Sequence, residues 1–190
     1  MPSSPISRRE WTLATLGLAA PAEVAEAWQH AHQAAGAARP AKLETLSADE
    51  AREIEAIASR IIPSDGTPGA REAGVIYFID RALGTWQAEH RDTYRKGMAE
   101  VQSLRERMFP GSSAIAALSG SDQDRLVAAF EKTPFFELLR THTAFGFLGS
   151  PVHGGNRDGV GWTHIGFEDK ASFSPPFGFY DAQAMKDESR

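Results

Sequence analysis

Residues 46–63 read LSADEAREIEAIASRIIP, and this stretch indicates the fold class. Ser47 is followed three positions later by Glu50, which is the pairing of a capping box at a helix N-terminus. Pro63 ends the stretch, because proline lacks the amide hydrogen that a continuing helix needs. Between them, apolar residues recur at the three- and four-residue spacing of one helix face: Ala51, Ile54, Ile57, Ala58 and Ile61. The stretch therefore predicts an amphipathic helix packed on a core.

Four further segments carry helical periodicity, and two of them begin with a threonine cap followed by a first-turn proline. No stretch shows sustained alternation of apolar and polar residues between turns, so no sheet is predicted. We expect an all-α fold, a single helical bundle of about five helices, with an extended aromatic, glycine-rich C-terminal tail. The four segments are Thr67 and Pro68 through Leu83, Gln87 to Met108, the helix opened by Ser121, and the helix opened by Thr133 and Pro134.

Composition limits the classes of function. The 190 residues suffice for one domain with a substantial core. Lys and Arg total 20 against 25 Asp and Glu, which does not favour nucleic acid as a partner. The chain has no cysteine, so disulfides, iron–sulfur clusters, thiolate zinc sites and cysteine-attached haem are excluded.

Residues 1–40 have the pattern of an export signal followed by a linker. Arg8 and Arg9 precede Trp11 and an Ala/Leu-rich stretch, which is the order of charge and apolar residues in a secretory signal. The paired arginines resemble the twin-arginine pattern that an exporter of folded proteins reads. The alternative is an amphipathic N-terminal helix of a cytoplasmic protein. We assign residues 1–40 to signal and linker, 41–149 to the helical bundle, and 150–190 to an irregular C-terminal tail that lies on a surface of its own chain or of a partner.

Residues 150–167, SPVHGGNRDGVGWTHIGF, contain five glycines beside aromatic residues and are called the glycine segment below. The segment lacks the glycine spacings that cradle dinucleotides or nucleoside triphosphates. Gly154, Gly155 and Asn156 tolerate left-handed backbone conformations and predict consecutive tight turns. The residues that follow are too aromatic for a disordered tail. The segment either folds back with Trp162 packed on the bundle or forms a surface for a partner.

No catalytic, cofactor-binding or metal site is predicted in this chain. His142, His153 and His164 lie in or near one region, but no helical pair of histidines at metal-binding spacing exists. His142 falls in a predicted helix and is interpreted as a hydrogen-bonded structural residue. The nucleophile motifs GxSxG and SxxK at a helix start are also missing.

Two possibilities stay open at this point. Arg71 and Asp80 could pair within the chain or between subunits. The chain could also be an independent carbohydrate-active enzyme of the periplasm that uses residues 150–167, with Trp162 stacked on a sugar and His153 or His164 as the base.

Two blocks of sequence resemble a known family. They are IIPSDGTPGAREAGVIYFID, residues 61–80, and the glycine segment, with FFELLRTHT between them. Together they resemble the small subunit, subunit 3, of gluconate 2-dehydrogenase and related membrane-associated, flavin-dependent sugar dehydrogenases. The resemblance covers residues 46–167. Ser150 to His153 departs from the family, which usually has Asp-Pro-x-Tyr before Gly-Gly-Asn.

The resemblance implies a subunit of an oxidoreductase complex that acts on CH–OH donors, with no catalysis by this chain alone. Its implied partner is a large FAD-containing subunit of the glucose-methanol-choline type, often with a cytochrome c subunit as electron acceptor. FAD is expected in the partner and no cofactor in this chain. The implied roles are export of the pair on one shared leader, and maturation and stability of the flavoprotein subunit. A chaperone that leaves after export is the alternative.

The same resemblance implies where the chain acts and which residues meet the partner. The location is periplasmic by the twin-arginine route, with association to the inner membrane only through partners or an uncleaved leader. Arg8 and Arg9 form the expected export signal. The expected partner-contact residues are Pro68, Gly69, Arg71, Pro151, Gly154, Gly155, Asn156, Trp162, Gly166 and Phe167.

Overall fold

The computed structural model describes residues 42–170 and the single positions 177, 178, 183 and 186. The signal and linker predicted at 1–40, and most of the tail beyond 170, lie outside these residues. Six α-helices and no strand are found in the described part, so the prediction of an all-α fold is confirmed. All six lie in one compact unit, whose described part is residues 42–168. None of the described helices is both long enough and apolar enough to cross a membrane.

The helices follow one another along the chain with short connections. Single 3-10 turns lie at Ala88–His90, Ile115–Ala117, Pro151–His153 and Arg157–Gly159. The helices are α1 (Ala48–Ile61), α2 (Val75–Gly84), α3 (Arg91–Met108), α4 (Gly120–Phe130), α5 (Pro134–Leu148) and α6 (Val160–Ile165).

Helix α2 lies at the centre of the core. Seven of its ten residues are buried, as expected of a helix that is apolar around most of its circumference. It packs against α1 on one side and α5 on another. The side chains that meet there are almost inaccessible to solvent: Ile54 and Ile57 of α1, Ile79 and Leu83 of α2, and Leu139 of α5.

The helix starts predicted by capping chemistry are confirmed for α1 and α5. The amide of Glu50 donates to the Ser47 hydroxyl at 3.2 Å, and the amide of Ser47 donates to the Glu50 carboxylate at 2.9 Å. At α5 the amide of Phe136 donates to the Thr133 hydroxyl at 3.2 Å, with Pro134 as the first helical residue. These caps satisfy amides that a helix N-terminus leaves without an intrahelical partner.

Two other helix starts differ from prediction. Helix α2 begins at Val75, not at Thr67 and Pro68, because the preceding residues form turns and Gly74 takes a left-handed conformation with φ 66°. Helix α3 begins at Arg91, after the 3-10 turn at Ala88–His90, and not at Gln87.

Helix α4 is capped by Ser119, two residues before the predicted Ser121. The amide of Asp122 donates to the Ser119 hydroxyl at 3.2 Å, and that hydroxyl donates to the Asp122 carboxylate at 2.9 Å. Each serine is followed three positions later by an aspartate, Asp122 after Ser119 and Asp124 after Ser121, so the cap pattern alone does not distinguish them.

Arg71 and Asp80 do not pair with each other. The Asp80 carboxylate is buried in α2 and accepts three backbone N–H bonds, from Glu44 at 2.7 Å, Thr45 at 2.9 Å and Leu46 at 2.6 Å. Arg71 instead pairs with Glu55 at 3.3 Å. Asp80 therefore ties the chain segment before α1 to the central helix.

Candidate functional site

The glycine segment folds onto α2 and α5 as two 3-10 turns followed by α6. The expectation of an irregular tail is wrong for Val160–Ile165, which is helical. Six residues that include Gly161 are too few to show helical periodicity in sequence. The predicted tight turns are found at Gly154, with φ 104°, and Asn156, with φ 45°.

Asn156 joins α5 to α6 and is fully buried. Its backbone amide donates to the carbonyl of Gly146 at 2.7 Å. Its side-chain amide donates to the carbonyl of Gly149 at 2.9 Å, and its side-chain oxygen accepts from the amide of Gly161 at 2.8 Å. Buried polar groups need hydrogen-bond partners, and Asn156 supplies them to backbone groups on both sides of the turn.

Glycine is required at two positions where the segment meets α5. A Cβ at Gly155 would overlap the carbonyl oxygen of Gly146, and a Cβ at Gly161 would overlap the carbonyl oxygen of Phe147. Neither residue has a positive φ, so close approach of the backbones is the reason for glycine here. The segment therefore lies in direct backbone contact with the last turns of α5.

The two sequence blocks that carry the family resemblance touch each other. The amide of Arg157 donates to the carbonyl of Ala73 at 2.9 Å, just before α2. Arg81 of α2 donates to the carbonyl of Val152 at 2.6 Å. The Arg157 guanidinium also lies 5.3 Å from the centre of the Tyr77 ring, within cation–π range. These contacts brace the segment on α2 as well as on α5.

Trp162 packs on its own chain while supporting a neighbouring exposed ring. Its indole N–H donates to the carbonyl of Leu148 at 2.7 Å, and the residue is half-buried. The ring of Phe167 lies 5.1 Å from the indole, centre to centre, and remains largely exposed. The folded-back interpretation of Trp162 is therefore confirmed, and the neighbouring ring is presented outward.

Exposed apolar side chains are concentrated around this segment. Five of the seven large hydrophobic residues that are exposed in the described part of the chain lie between positions 145 and 167. They are 41% to 57% accessible to solvent and are called the apolar surface below: Phe145, Leu148, Val152, Ile165 and Phe167. Trp86, also exposed, packs edge-on against His153 beside Val152, with ring centres 5.4 Å apart. Clustered exposed apolar side chains mark interaction sites on soluble proteins.

The predicted contact residues fall into three groups by accessibility. Pro68, Arg71, Gly166 and Phe167 are exposed, and Pro151, Gly154 and Trp162 are half-buried. Gly69, Gly155 and Asn156 are buried, so they shape the surface and do not form it.

The block around Pro68 is organised by its own local contacts. The Glu72 carboxylate accepts from the Ser64 hydroxyl at 2.5 Å and from the amide of Gly69 at 2.9 Å. These hydrogen bonds, that of Ser64 first, lower the pKa of Glu72. The hydrogen bonds of Glu72 hold the turn around Pro68 in place. The backbone contact of this block with the glycine segment is made further along the chain, at Ala73.

Sequence analysis missed four residues of the apolar surface: Phe145, Leu148, Val152 and Ile165. A signal for the first two exists, because Phe145 and Leu148 are three positions apart on α5 and lie off the stripe formed by Leu139, His142 and Gly146. A helix that is apolar on two faces must bury the second face elsewhere or leave it exposed. No comparable signal marks Ile165, because α6 is too short to show a pattern.

His142 is a structural residue, as interpreted from sequence. It is 2% exposed, and its Nδ1 lies 2.9 Å from the Tyr94 hydroxyl and its Nε2 2.9 Å from Gln87 Oε1. Because an amide oxygen only accepts, Nε2 carries the proton and Nδ1 accepts from Tyr94. Burial, and then the nearby His90, lower the pKa of His142 to about 4. Burial likewise raises the pKa of Tyr94.

The other two histidines make ring contacts at the surface. His153 packs against Trp86, and His164 lies 6.2 Å from the ring of Phe147, centre to centre. Within the part of the chain that the structure describes, no three His, Cys, Asp or Glu side chains are grouped so that they could hold a metal ion.

Comparison with known proteins identifies the family. The family model for gluconate 2-dehydrogenase subunit 3 matches residues 48–169, which is more than half of the chain and includes all six helices and the glycine segment. No curated protein and no solved structure matches the chain. The family name is that of one subunit in a gluconate dehydrogenase of several subunits. The chain therefore belongs to the gluconate 2-dehydrogenase subunit 3 family.

Proposed function

We propose that this chain is the non-catalytic small subunit of a periplasmic FAD-dependent sugar or sugar-acid dehydrogenase. The apolar surface is where it binds the large flavoprotein subunit, which is of the glucose-methanol-choline type. The observation that carries this proposal is the occurrence of five exposed apolar side chains between positions 145 and 167, at the end of α5 and on the glycine segment that is braced against it. Family membership supports the assignment to a dehydrogenase complex.

The bracing favours tight association. Binding costs free energy when loops and side chains must be ordered, so a segment already held in place loses less on association. Asn156, Trp162 and Arg157 hold the segment through hydrogen bonds to α5, α6 and the residues before α2. Aromatic side chains at the centre of an interface often contribute most of its binding free energy. Phe145 and Phe167 are the exposed aromatic residues of the apolar surface.

The FAD belongs to the large subunit in this proposal. Dinucleotides are commonly bound by a parallel sheet with a glycine-rich first turn. The described part of this chain is helical, which favours placing the flavin and its chemistry in the partner. A cytochrome c subunit would then accept the electrons, and the complex would meet the inner membrane through its partners or an uncleaved leader.

The chain also carries the export signal for the pair in this proposal. A twin-arginine exporter moves folded proteins, so a flavoprotein without its own leader can cross when bound to a subunit that has one. Arg8 and Arg9 supply that leader. Association before export explains why the small subunit would also support maturation and stability of the large one.

Co-purification tests the proposal. The chain is tagged at its C-terminus and expressed in its native host with its neighbouring genes, and the eluate is analysed for flavin absorbance and subunit masses. We expect a yellow complex with one large subunit in fixed stoichiometry, and dye reduction with sugars identifies the substrate. A colourless single chain would contradict the proposal. A complex present in the cytoplasm but absent from the periplasm would indicate a transient chaperone, and sugar turnover by the isolated chain would indicate an enzyme.

A further inference from the structure

A cleft between α1 and α3 forms a second candidate binding site. It has a volume of about 430 Å³ and shares no residue with the apolar surface. Its floor is apolar, formed by Ile54, Leu83 and Tyr94, which are buried, and by the partly buried Met98. At one end Gln102 donates to Glu53 across the cleft at 2.7 Å.

The two walls of the cleft carry opposite charges. Asp49, Glu50 and Glu53 line the α1 wall, and Arg91 and Arg95 line the α3 wall. When two helices pack directly, opposite charges on their flanks commonly form interhelical ion pairs. Here no ion pair between described residues joins the walls, because Asp49 and Arg95 each pair along their own helix. The Glu53 carboxylate accepts from Gln102 of the α3 wall and from the amide of Ile115 at 2.7 Å.

Local partners account for three of these charges. Asp49 pairs with Arg52 at 3.0 Å along α1, and Arg95 pairs with Asp92 at 3.3 Å along α3. Arg91 donates to the carbonyl of Leu83 at 2.6 Å. Each of the two ion pairs joins exposed side chains along a single helix. Such exposed ion pairs contribute little to stability, so their side chains can exchange these partners for others.

The polar chemistry of the cleft favours a helix over a small molecule. Small-molecule sites fix their ligand with a few polar groups that converge on it. The one polar atom of the buried floor side chains, the Tyr94 hydroxyl, is already bonded to His142. An apolar floor between an acidic and a basic wall instead matches an amphipathic helix whose two flanks carry opposite charge. The α3 wall from Arg91 to Gln102 corresponds to about three helical turns.

We propose that the cleft between α1 and α3 binds an amphipathic helix of a partner protein. That helix places apolar residues on the floor, basic residues against α1 and acidic residues against α3. The inference does not rest on the proposed function, because it concerns a different surface and can be tested on the chain alone.

Three synthetic peptides test the charge pattern. Each is a helix of about four turns with the same apolar stripe, and the flanks are one Lys and one Glu, both Lys, or both Glu. Binding to the full chain is measured by fluorescence anisotropy at moderate salt. We expect the peptide with mixed flanks to bind at least ~10-fold more tightly than either other peptide, which is about 1.4 kcal/mol. The net charge of −5 favours any cationic peptide, so this order cannot come from general attraction.

Variants assign the binding to the cleft. Ala99→Trp fills an exposed lining position and should abolish binding of the mixed-flank peptide. Ala128→Trp, at an exposed position of α4 outside the cleft, is the matched control and should leave binding unchanged. Arg95→Glu replaces one of the two basic side chains of the α3 wall by an acidic one, so preference should shift toward the peptide with two Lys flanks.

Several results would overturn the proposal. These are binding that is indifferent to Ala99→Trp, a preference that does not change with Arg95→Glu, or no peptide binding at all. Fluorescence of anilinonaphthalene sulfonate that Ala99→Trp removes, with none of the peptides bound, would assign the cleft to a small amphiphile instead. If the chain did not co-purify with a flavoprotein, the peptide-binding result would still stand. The proposed function and the proposed helix-binding cleft can therefore be disproved independently.

Discussion

Position 156 of the glycine segment requires asparagine, because its side chain and its backbone both meet specific demands there. Its side chain must donate to the carbonyl of Gly149 and accept from the amide of Gly161, and a carboxamide does both. Its backbone must also take φ 45°, which asparagine tolerates better than most residues. Aspartate could accept but not donate, and alanine could do neither.

We therefore expect Asn156→Ala to lower the free energy of unfolding by about 2–4 kcal/mol, because two buried backbone groups lose their partners. Urea denaturation of the full chain measures the change. Asn156→Gly is the control for the backbone, since glycine adopts the left-handed conformation without strain. If the two variants differ little and both lose less than about 0.5 kcal/mol, the hydrogen bonds of Asn156 do not hold the segment.

The lowered pKa of His142 predicts that the stability of the folded chain depends on pH. Its pKa in the folded chain is about 4, below the value of 6.5 expected when unfolded. The unfolded state therefore binds more protons between these values, so stability is complete above about pH 6.5 and falls as pH drops toward 4. The largest possible loss is about 3 kcal/mol. Gln87, Tyr94 and His90 face the ring, with Phe78 edge-on to it.

The measurement is the free energy of unfolding from pH 7.5 to 4.5. His142→Gln keeps a donor toward Gln87 and an acceptor toward Tyr94 but does not titrate in this range. We expect the variant to show a flatter profile than the natural chain. Parallel profiles would mean that other groups cause the acid dependence.

At the scale of elements, the sequence predicted those features that depend on neighbouring residues. The cap of α1 at Ser47 and the cap and proline of α5 lie within a few residues of the helices they start. The start of α2 was predicted too early because Thr67 and Pro68 fit a cap, while the backbone there is held by a distant contact, the amide of Ala70 on the carbonyl of Ile62. A cap pattern is read from residues next to the helix start, so it carries no information about hydrogen bonds to other parts of the chain.

The position of α6 was unpredictable for a similar reason. Its attachment depends on Gly155 and Gly161 meeting backbone atoms of α5, and nothing in the local pattern distinguishes a glycine needed for close approach from one needed for a turn. The apolar surface was found in part, at Phe167, because aromatic residues stand out in a glycine-rich segment. Phe145 and Leu148 were hidden within the apolar composition of α5.

The attachment of α6 can be tested with Gly161→Ala. The added Cβ would overlap the carbonyl oxygen of Phe147, so α6 must move away from α5. We expect amide hydrogen exchange to become at least ~10-fold faster in residues 155–167, with little change in α1 to α4, because regions of a protein can open separately. Gly120→Ala is the control, since its Cβ would meet nothing closer than the Arg60 guanidinium at 3.7 Å. Equally faster exchange throughout the chain would mean that α6 is part of the global unfolding unit.

At the scale of the whole molecule, the apolar surface predicts how the subunits associate. Phe145→Ser combined with Phe167→Ser removes two exposed aromatic side chains. We expect the Kd for the purified flavoprotein subunit to rise at least ~100-fold, which is about 3 kcal/mol. The thermal midpoint should change little, because both side chains are exposed in the free chain. Binding is measured by titrating the flavoprotein with labelled chain.

The control for this pair is Ala128→Ser with Ala129→Ser, two exposed positions on α4. It should leave the Kd unchanged. A large fall in thermal midpoint for the double Phe variant would indicate that these side chains stabilise the fold, and an unchanged Kd would place the flavoprotein on another surface.

Export of the assembled complex gives a prediction that depends on the proposed export signal of this chain and on its association with the flavoprotein subunit. Arg8→Lys with Arg9→Lys keeps the charge of the leader but removes the paired guanidinium groups, which lysine does not replace at a geometry-dependent site. We expect this chain and the flavoprotein to remain together in the cytoplasm, with dye-linked dehydrogenase activity lost from the periplasmic fraction. Arg39→Lys, a third arginine in the predicted signal and linker, is the matched control. If only this chain is retained while the flavoprotein still reaches the periplasm, the large subunit crosses by its own route and the shared leader is disproved.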